Sequence, residues 1–373
     1  MKPLITIGVA VYNIDKESLT ECIESIVSNR SGSFEIIIVN DCSTNGCGAV
    51  CKKYASADSR IEYVEFAKNH GIGYVRNAII ERARGEWIFF VDGDDKIYSN
   101  FEDSVRSEHT SGCDILIYDY ESFTEEQLYN CSFYDGKYEL LSQKEIERCC
   151  IACLTEAPCF IKGISLSKGC TAKGYRKDFL IKNNIRFVEE LKISEDSMFY
   201  ADALHRCSKA VYFPFTLYYY RSGNKQSVTN NYNPDTAELR SLYLIFACKR
   251  IADYFPGRDD VKELYYSYKI AAVAFMECKL NIFHKNNPKG YFERRKEFLK
   301  FFSEEPYNTA IEKMNPYMYN WRERTIIFKL IKKRSFFMLN FIFKNPIALH
   351  WYGGAAHRIN KIKRRVVFPW RKN

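Results

Sequence analysis

The chain of 373 residues is 46% hydrophobic and 27% charged, which indicates a globular protein able to bury a core, and its length favours two or three structural units. Its 14 cysteines, in a chain that shows no N-terminal apolar signal segment, indicate free thiols in a reducing cytoplasm and argue against a disulfide framework. The net charge of +9 belongs to the C-terminal tail: residues 321–373 hold 14 Lys and Arg against one acid, Glu323, which leaves residues 1–320 at −4.

Short apolar runs and helical patterns alternate over the first hundred residues. The runs LITIGVAVYN, FEIIIVND, RIEYVEF and EWIFFVD, at 4–13, 34–41, 60–66 and 86–92, predict strands that are covered on both faces. Between them, one apolar helical stripe follows Asp15, a candidate N-cap, and another ends before Gly85. This order predicts a parallel sheet in an α/β layer fold.

Three segments with polar side chains stand at the carboxyl ends of these strands. They are Val11-Tyr12-Asn13, Asn40-Asp41 and Asp92-Gly93-Asp94-Asp95. Ligands of parallel α/β sheets bind beyond the carboxyl ends of the strands, so we expect the three segments to line one crevice.

The carboxylates of Asp92, Asp94 and Asp95 repel one another, and such a cluster is costly unless a cation or hydrogen-bond donors compensate it. One interpretation is a solvated turn after a strand. The other is a metal site, because a nucleoside diphosphate could approach these acids only with a divalent cation between them, and Mg²⁺ or Mn²⁺ prefers oxygen ligands. The spacing alone leaves both interpretations open.

Four segments of the N-terminal half carry recognisable motifs: ITIGVAVYN (5–13), IIIVNDCSTNG (36–46), NHGIGYVRNAIIERARGEWIFFVDGDD (69–95) and EDSMF (195–199). In order and spacing they resemble the family 2 glycosyltransferases, and the resemblance reaches to about residue 230. It implies the nucleotide-diphospho-sugar transferase fold called GT-A and the transfer of a sugar with inversion at its anomeric carbon.

The resemblance also implies which residues bind the nucleotide-sugar. They are Val11, Tyr12, Asn13, Asn40, Asp41, Arg76, Asp92, Gly93, Asp94 and Arg221. Asp41 would bind the base, most often uracil, although Asn40 and Cys42 replace the acid and the glycine that usually flank it. Arg76 would help to hold the nucleotide, and a surface salt bridge on a helix is the alternative.

In the same way, Asp92 and Asp94 correspond to the D-x-D motif of the family. Asp92 would face the ribose, and Asp94 would be the main metal ligand, with Asp92 as a second. Arg221, in LYYYRSGNKQSVTN (217–230), would stabilise the charge of the leaving diphosphate, with Lys225 as a second candidate. A surface hairpin is the alternative for this segment.

The reaction also needs a carboxylate across the site, because the acceptor hydroxyl must lose its proton as it attacks the anomeric carbon. The acidic pair Glu195-Asp196 precedes Met198-Phe199, which would anchor it to the core. By resemblance Asp196 is the general base, and Glu195 is its neighbour or an acceptor contact. The alternative is an acidic pair favoured at a helix start by the helix dipole.

We expect three regions: a nucleotide-sugar-binding half at 1–100, an acceptor-binding and catalytic half at 101–235, and a helical region with the basic tail at 236–373. The tail mixes aromatic and basic residues, as in RSFFMLNFIFKNP (334–346) and KIKRRVVFPWRKN (361–373), and no uncharged apolar run approaches the roughly 20 residues that span a bilayer. Contact with an anionic membrane surface is one interpretation. A solvated or protein-packed helical tail is another, and nucleic-acid binding is a weaker one.

The sequence thus predicts a bacterial, metal-dependent inverting glycosyltransferase that uses Mn²⁺ or Mg²⁺ and is cytoplasmic, with peripheral contact to the inner face of the membrane as one interpretation of its tail. It would move a sugar from a nucleotide donor, most often UDP-linked, to a saccharide or lipid-linked saccharide in cell-surface polysaccharide synthesis, with no nucleic-acid partner. One alternative is a nucleotidyltransferase of similar fold, which should have a glycine-rich loop that VAVYNIDKES lacks. The other is a non-catalytic sugar-nucleotide or carbohydrate-binding protein. The sugar, the acceptor linkage and the oligomeric state stay open.

Overall fold

The computed structural model describes residues 2–28, 34–98, 101–123, 135–161, 164–165, 167–222, 232–316 and 322–345. The chain divides into two compact units. The first consists of residues 1–153 and 158–224, and the second of residues 154–157 and 225–373.

The first unit alternates strands and helices and begins as the sequence predicts. Its strands are β1 (Ile5–Val11), β2 (Phe34–Asn40), β3 (Ile61–Glu65), β4 (Trp87–Asp92), β5 (Lys96–Ile97), β6 (Ile115–Phe123), β7 (Glu139–Leu140), β8 (Phe160–Ile161), β9 (Ile164–Ser165), β10 (Lys173–Arg176) and β11 (Ala210–Arg221). Its helices are α1 (Lys16–Val27), α2 (Cys47–Ala57), α3 (Ile72–Arg82), α4 (Glu102–Arg106), α5 (Gln143–Thr155, whose last residues belong to the second unit), α6 (Lys177–Lys182) and α7 (Glu195–Arg206).

A nine-stranded mixed sheet forms the centre of this unit. Its order is β3-β2-β1-β4-β10-β6-β11-β5, and β7 also pairs with β11. The first four strands are parallel, whereas β10 runs antiparallel to both β4 and β6. Strands from both of the halves predicted at 1–100 and 101–235 therefore share one sheet.

The predicted parallel sheet is confirmed, and its buried strands explain the apolar runs. Every residue of β1 and of β2 is buried, because helices cover both faces. The Oδ1 atom of Asp15 accepts the Ser18 N–H at 2.9 Å and begins α1 as the predicted N-cap.

Helix α3 packs closely on β1. A Cβ atom added to Gly8 would lie 2.3 Å from Cγ2 of Ile79, a distance that real Cβ atoms do not show. Ile79 is fully buried, so it has little room to move. Glycine at position 8 thus sets the separation between β1 and α3, the helix that carries Arg76.

The second unit is helical, as the sequence predicts from Thr236 onward. Its helices are α8 (Thr236–Tyr254), α9 (Asp259–Leu264), α10 (Ala271–Glu277), α11 (Tyr291–Phe301), α12 (Tyr307–Lys313), α13 (Arg322–Lys332) and α14 (Phe336–Lys344), and two π-helical turns, Tyr265–Ile270 and Cys278–Ile282, follow α9 and α10. Over the described ranges, no helix is both long and apolar enough to cross a membrane. Lys225 and the basic tail from residue 346 lie outside the described residues.

Cysteine side chains in the described ranges form no disulfide, and most of them are buried. Buried thiols of this kind pack as small apolar side chains.

We expect Gly8→Ala to lower the free energy of unfolding by about 1–3 kcal/mol through overpacking, and Ile79→Ala to lower it by about 2–5 kcal/mol through a cavity. Combined, the two changes should cost clearly less than their sum, because the alanine at position 8 occupies space that Ile79 vacates. Urea denaturation of the three variants measures this coupling.

Ile23→Ala is the matched control, since Ile23 is buried in the core cluster that contains Ile7 and Val9, which lie on the opposite face of β1 from Gly8. Its cost should add to that of Gly8→Ala. Additive costs for the Gly8 and Ile79 changes would contradict the packing argument.

Candidate active site

The turn after β4 brings its acids next to the end of β1. The Gly93 N–H donates to the Ala10 carbonyl at 3.1 Å, and a Cβ atom at Gly93 would lie 3.0 Å from the same oxygen. The Asp95 N–H donates to the Asp92 carbonyl at 3.0 Å and closes the turn. Gly93 therefore serves the close approach of two backbones, which any larger residue would hinder.

Asp95 points into the protein and stabilises the turn. Its Oδ2 atom accepts the Tyr218 hydroxyl at 2.5 Å, and its Oδ1 atom accepts the Arg221 N–H at 2.7 Å. Burial, reinforced by the charge of Asp92, raises the pKa of Asp95 to about 8. These contacts hold the turn against β11.

Arg221 binds the same turn from β11. Its Nε atom donates to the Asp94 carbonyl at 2.9 Å, and its Nη2 atom lies 2.5 Å from Oε2 of Glu21 on α1. Lys96 contacts the same carboxylate at 2.9 Å. The predicted role of Arg221 toward a diphosphate stays a prediction, and its contacts here fix the backbone of the acidic turn.

Arg76 joins the two acidic motifs of the sequence. Its Nη2 atom lies 2.7 Å from Oδ1 of Asp92, and its Nη1 atom lies 2.7 Å from Oε1 of Glu195. The guanidinium also lies over the ring of Phe187, 5.4 Å from the centroid. Because the Arg76 side chain is only 5% exposed, this is a buried ionic bridge and differs from the surface salt bridge weighed as an alternative.

Glu195 and Asp196 occupy the first turn of α7 but differ in exposure. Glu195 is buried, whereas Asp196 is half-buried. Burial, and next the charge of Asp196, raise the pKa of Glu195 to about 7, although Arg76 opposes the shift. The backbone at Gly169 closely approaches the other acid, since an added Cβ atom would lie 2.6 Å from Oδ2 of Asp196.

Asp94 is half-buried beside Asp92 in the turn. Burial and then the charge of Asp92 raise the pKa of Asp94, although Arg221 opposes the shift. Within the described ranges, no group of three or more His, Cys, Asp or Glu side chains is arranged to hold a metal ion.

Asp41 and Asn40, at the end of β2, are engaged by the fold itself. The two oxygens of Asp41 accept the N–H groups of His70 and Gly71, each at 2.8 Å. The amide of Asn40 donates to the Tyr63 hydroxyl at 3.0 Å, and its oxygen accepts from Ser43. Their predicted contacts with a base stay predictions, and the observed contacts order the loops around the strand end.

The segment after β1 contains one exposed ring. Val11 is buried, whereas Tyr12 is 49% exposed. Asn13 has a left-handed backbone, with φ of 51°, and its Oδ1 atom accepts the Thr44 N–H at 2.8 Å. Tyr12 is therefore free to contact a ligand, while Asn13 ties its loop to the loop after β2.

The structure brings most of the predicted site residues together at neighbouring strand ends. Three of them end neighbouring strands: Val11, Asn40 and Asp92. Six more connect to those ends through the contacts above: Asp41, Gly93, Asp94, Arg76, Glu195 and Arg221. Sequence reasoning missed Glu21 and Tyr218. Glu21 is one polar residue of an amphipathic helix, and Tyr218 is one of several aromatic residues in a strand, so no local sequence pattern indicated a role for either. Both reach the site because β11 lies beside the acidic turn.

The sheet order and the strand-end acids define a nucleotide-diphospho-sugar transferase fold of the GT-A type. A solved structure of TarS from S. aureus (residues 1–349 in complex with UDP-GlcNAc) matches with a TM-score of 0.58 and 17% identity, covering 92% of each chain. At this identity the match establishes the fold, which agrees with the prediction.

The model of the family described as Glycosyl transferase family 2 matches residues 6–126 of this chain. Glycosyltransferase EpsJ of Bacillus subtilis (strain 168) is 29% identical over 235 residues, which is 61% of this chain and 64% of that relative. The teichuronic acid biosynthesis glycosyltransferase TuaG of the same strain is 35% identical over 95 residues, 26% of this chain and 37% of that relative. This chain spans between 20% and 64% of the length of the first three curated relatives that it matches.

We expect Arg76→Ala to lower the free energy of unfolding by about 3–5 kcal/mol at pH 8, because it leaves Glu195 buried and unpaired. The control is Arg82→Ala on the same helix, whose pair with Glu62 is exposed and should be worth less than about 1 kcal/mol. Urea denaturation measures both. Equal costs for the two variants would contradict a buried bridge.

Glu195 should also make stability depend on pH. Its pKa rises from 4.5 to about 7 on folding, so the native state resists ionisation, and the free energy of unfolding should fall as pH rises from 5 to 7. Relative to Glu195→Gln, the wild type should lose about 2 kcal/mol over this range. Denaturation of both proteins at pH 5, 6, 7 and 8 measures the difference, and a difference independent of pH would refute the raised pKa.

Proposed function

We propose that this chain is an inverting, metal-dependent glycosyltransferase that moves a sugar from a UDP-linked donor to a saccharide acceptor. The observation that carries the proposal is the Arg76 bridge, because it joins Asp92 at the end of β4 to Glu195 at the start of α7. The acids proposed for the donor and for the acceptor thus belong to one site, although about one hundred residues separate them in sequence.

On the donor side, the residues fit a divalent cation. The raised pKa of Asp94 means that its negative charge is not fully compensated by the protein, and a cation would relieve the repulsion from Asp92. Mg²⁺ and Mn²⁺ accept one or two carboxylates when phosphates and water complete their ligands. Asp94 would hold the ion, with Asp92 as a second ligand, and the ion would neutralise charge on the diphosphate.

On the acceptor side, the different environments of the two acids favour Asp196 as the general base. The carboxylate of Glu195 is buried and bound to Arg76, so it cannot approach an acceptor hydroxyl without breaking that bridge. Asp196 is half-buried, and a carboxylate that is partly open can accept the proton as the hydroxyl attacks. Glu195 would position the first turn of α7.

The donor and the acceptor class are supported by proteins that this chain resembles. TarS was solved with UDP-GlcNAc, which supports a UDP-sugar donor. The name of TuaG refers to teichuronic acid biosynthesis, which supports a bacterial cell-surface polysaccharide. We propose that the acceptor is a saccharide or lipid-linked saccharide and that the basic tail brings the enzyme to the inner face of the membrane.

We expect Asp94→Asn to abolish the Mn²⁺-dependent part of UDP-sugar binding, because an amide is a weak ligand for the ion. Asp196→Asn should keep donor binding and lower turnover by about 10²–10⁴, the usual contribution of a general base. Thermal stabilisation by a panel of UDP-sugars, with and without Mn²⁺, measures binding, and UDP release measures turnover with a saccharide acceptor.

Asp202→Asn is the matched control, since it lies on α7 about two turns beyond the acidic pair. It should leave binding and turnover near the wild-type values. Full turnover by Asp196→Asn would refute the assignment of the base. Wild-type binding of UDP-sugars that does not depend on Mn²⁺ would refute the role of Asp94.

A further inference from the structure

An exposed surface at helix α14 of the second unit combines two phenylalanines of the helix with a lysine at its end and a lysine that precedes it. Phe337 is 67% exposed and Phe341 is 48% exposed, and they stand one helical turn apart, so they project from the same side. Lys333, before the helix, and Lys344, at its end, are also exposed. We name these four residues the outer face of α14.

The opposite side of α14 is anchored, which fixes the direction of the outer face. Phe336, Leu339 and Ile342 are buried. The ring of Phe336 lies 5.1 Å from that of Tyr291 on α11 and 5.2 Å from that of Phe283, measured between centroids. Rotating the helix to hide Phe337 and Phe341 would expose this aromatic cluster, so the two exposed rings are held outward.

Exposed phenylalanines are costly in water unless they meet an apolar partner. The charges beside them indicate which partner. Residues 346–373, which follow α14 in the chain, contain seven Lys and Arg and no Asp or Glu. Aromatic rings with flanking cations suit the boundary of an anionic bilayer, where the rings enter the interface and the cations meet lipid headgroups.

We propose that the outer face of α14 docks on an anionic lipid bilayer. Phe337 and Phe341 insert at the level of the headgroups, while Lys333 and Lys344 bind lipid phosphates on either side of them. The inference deepens the proposed function, since it names the surface through which the enzyme would meet a membrane that carries a lipid-linked acceptor. Lipid binding can nevertheless be measured without turnover.

Vesicle flotation with the full chain tests the proposal, using phosphatidylcholine vesicles with and without 30% phosphatidylglycerol, a fraction on the order of that in anionic membranes. The wild type should float with the anionic vesicles and not with the neutral ones. Phe337→Ser/Phe341→Ser should bind at least tenfold more weakly, because it removes the inserting rings and keeps every cation.

Ile245→Ser is the matched control, since Ile245 is 65% exposed on α8 and is not part of the outer face. It should bind the vesicles as the wild type does. Because Phe337 and Phe341 are exposed, their replacement should leave the melting temperature and the binding of UDP-sugars unchanged. Lost UDP-sugar turnover in a chain that still floats would count against the proposed function alone.

Three outcomes would overturn the inference. The first is wild-type chain that does not float with anionic vesicles, and the second is a double variant that floats as well as the wild type, which would assign the binding to the tail. The third is a wild-type dimer in light scattering that the double variant converts to a monomer. A second copy of the chain would then cover these rings.

Discussion

The guanidinium of Arg76 is the constraint on which the candidate site depends. It lies between carboxylates that come from β4 and from α7, and its burial makes both ion pairs sensitive to geometry. Charges withdrawn from water repay their desolvation only when their partners are well placed, so the bridge demands a fixed separation between the strand end and the helix. Close packing of α3 on β1 at Gly8 holds the helix that carries Arg76 against the sheet.

The acids around this bridge are compensated in different ways. Asp95 receives hydrogen bonds from Tyr218 and Arg221, and Glu195 receives Arg76, so both are used by the fold. Asp94 and Asp196 are more open. Burial thus separates Asp95 and Glu195 from the partly exposed Asp94 and Asp196, a difference that residue type alone does not reveal.

The two compact units differ in what they contain. The first contains the sheet, the acidic turn and the Arg76 bridge, which form the candidate active site. The second is helical and has an aromatic core, with rings such as Phe283 and Phe336 in contact, and it leaves Phe337 and Phe341 exposed. The match to the family model covers residues 6–126 and does not extend into the second unit.

The sequence alone determined the parallel strands and the positions of the acidic motifs, because β-branched runs, the Asp15 cap and the D-x-D spacing are local patterns with local physical causes. It also located Arg76, but as a contact of the nucleotide. Only the tertiary structure decided that this side chain pairs with Asp92 and Glu195, and that Glu21 and Tyr218 hold the acidic turn. Arg76 and Asp92 are 16 positions apart, and the other contacts join residues more than one hundred positions apart. Burial and distance across such separations are set by how the elements pack, which no local pattern encodes.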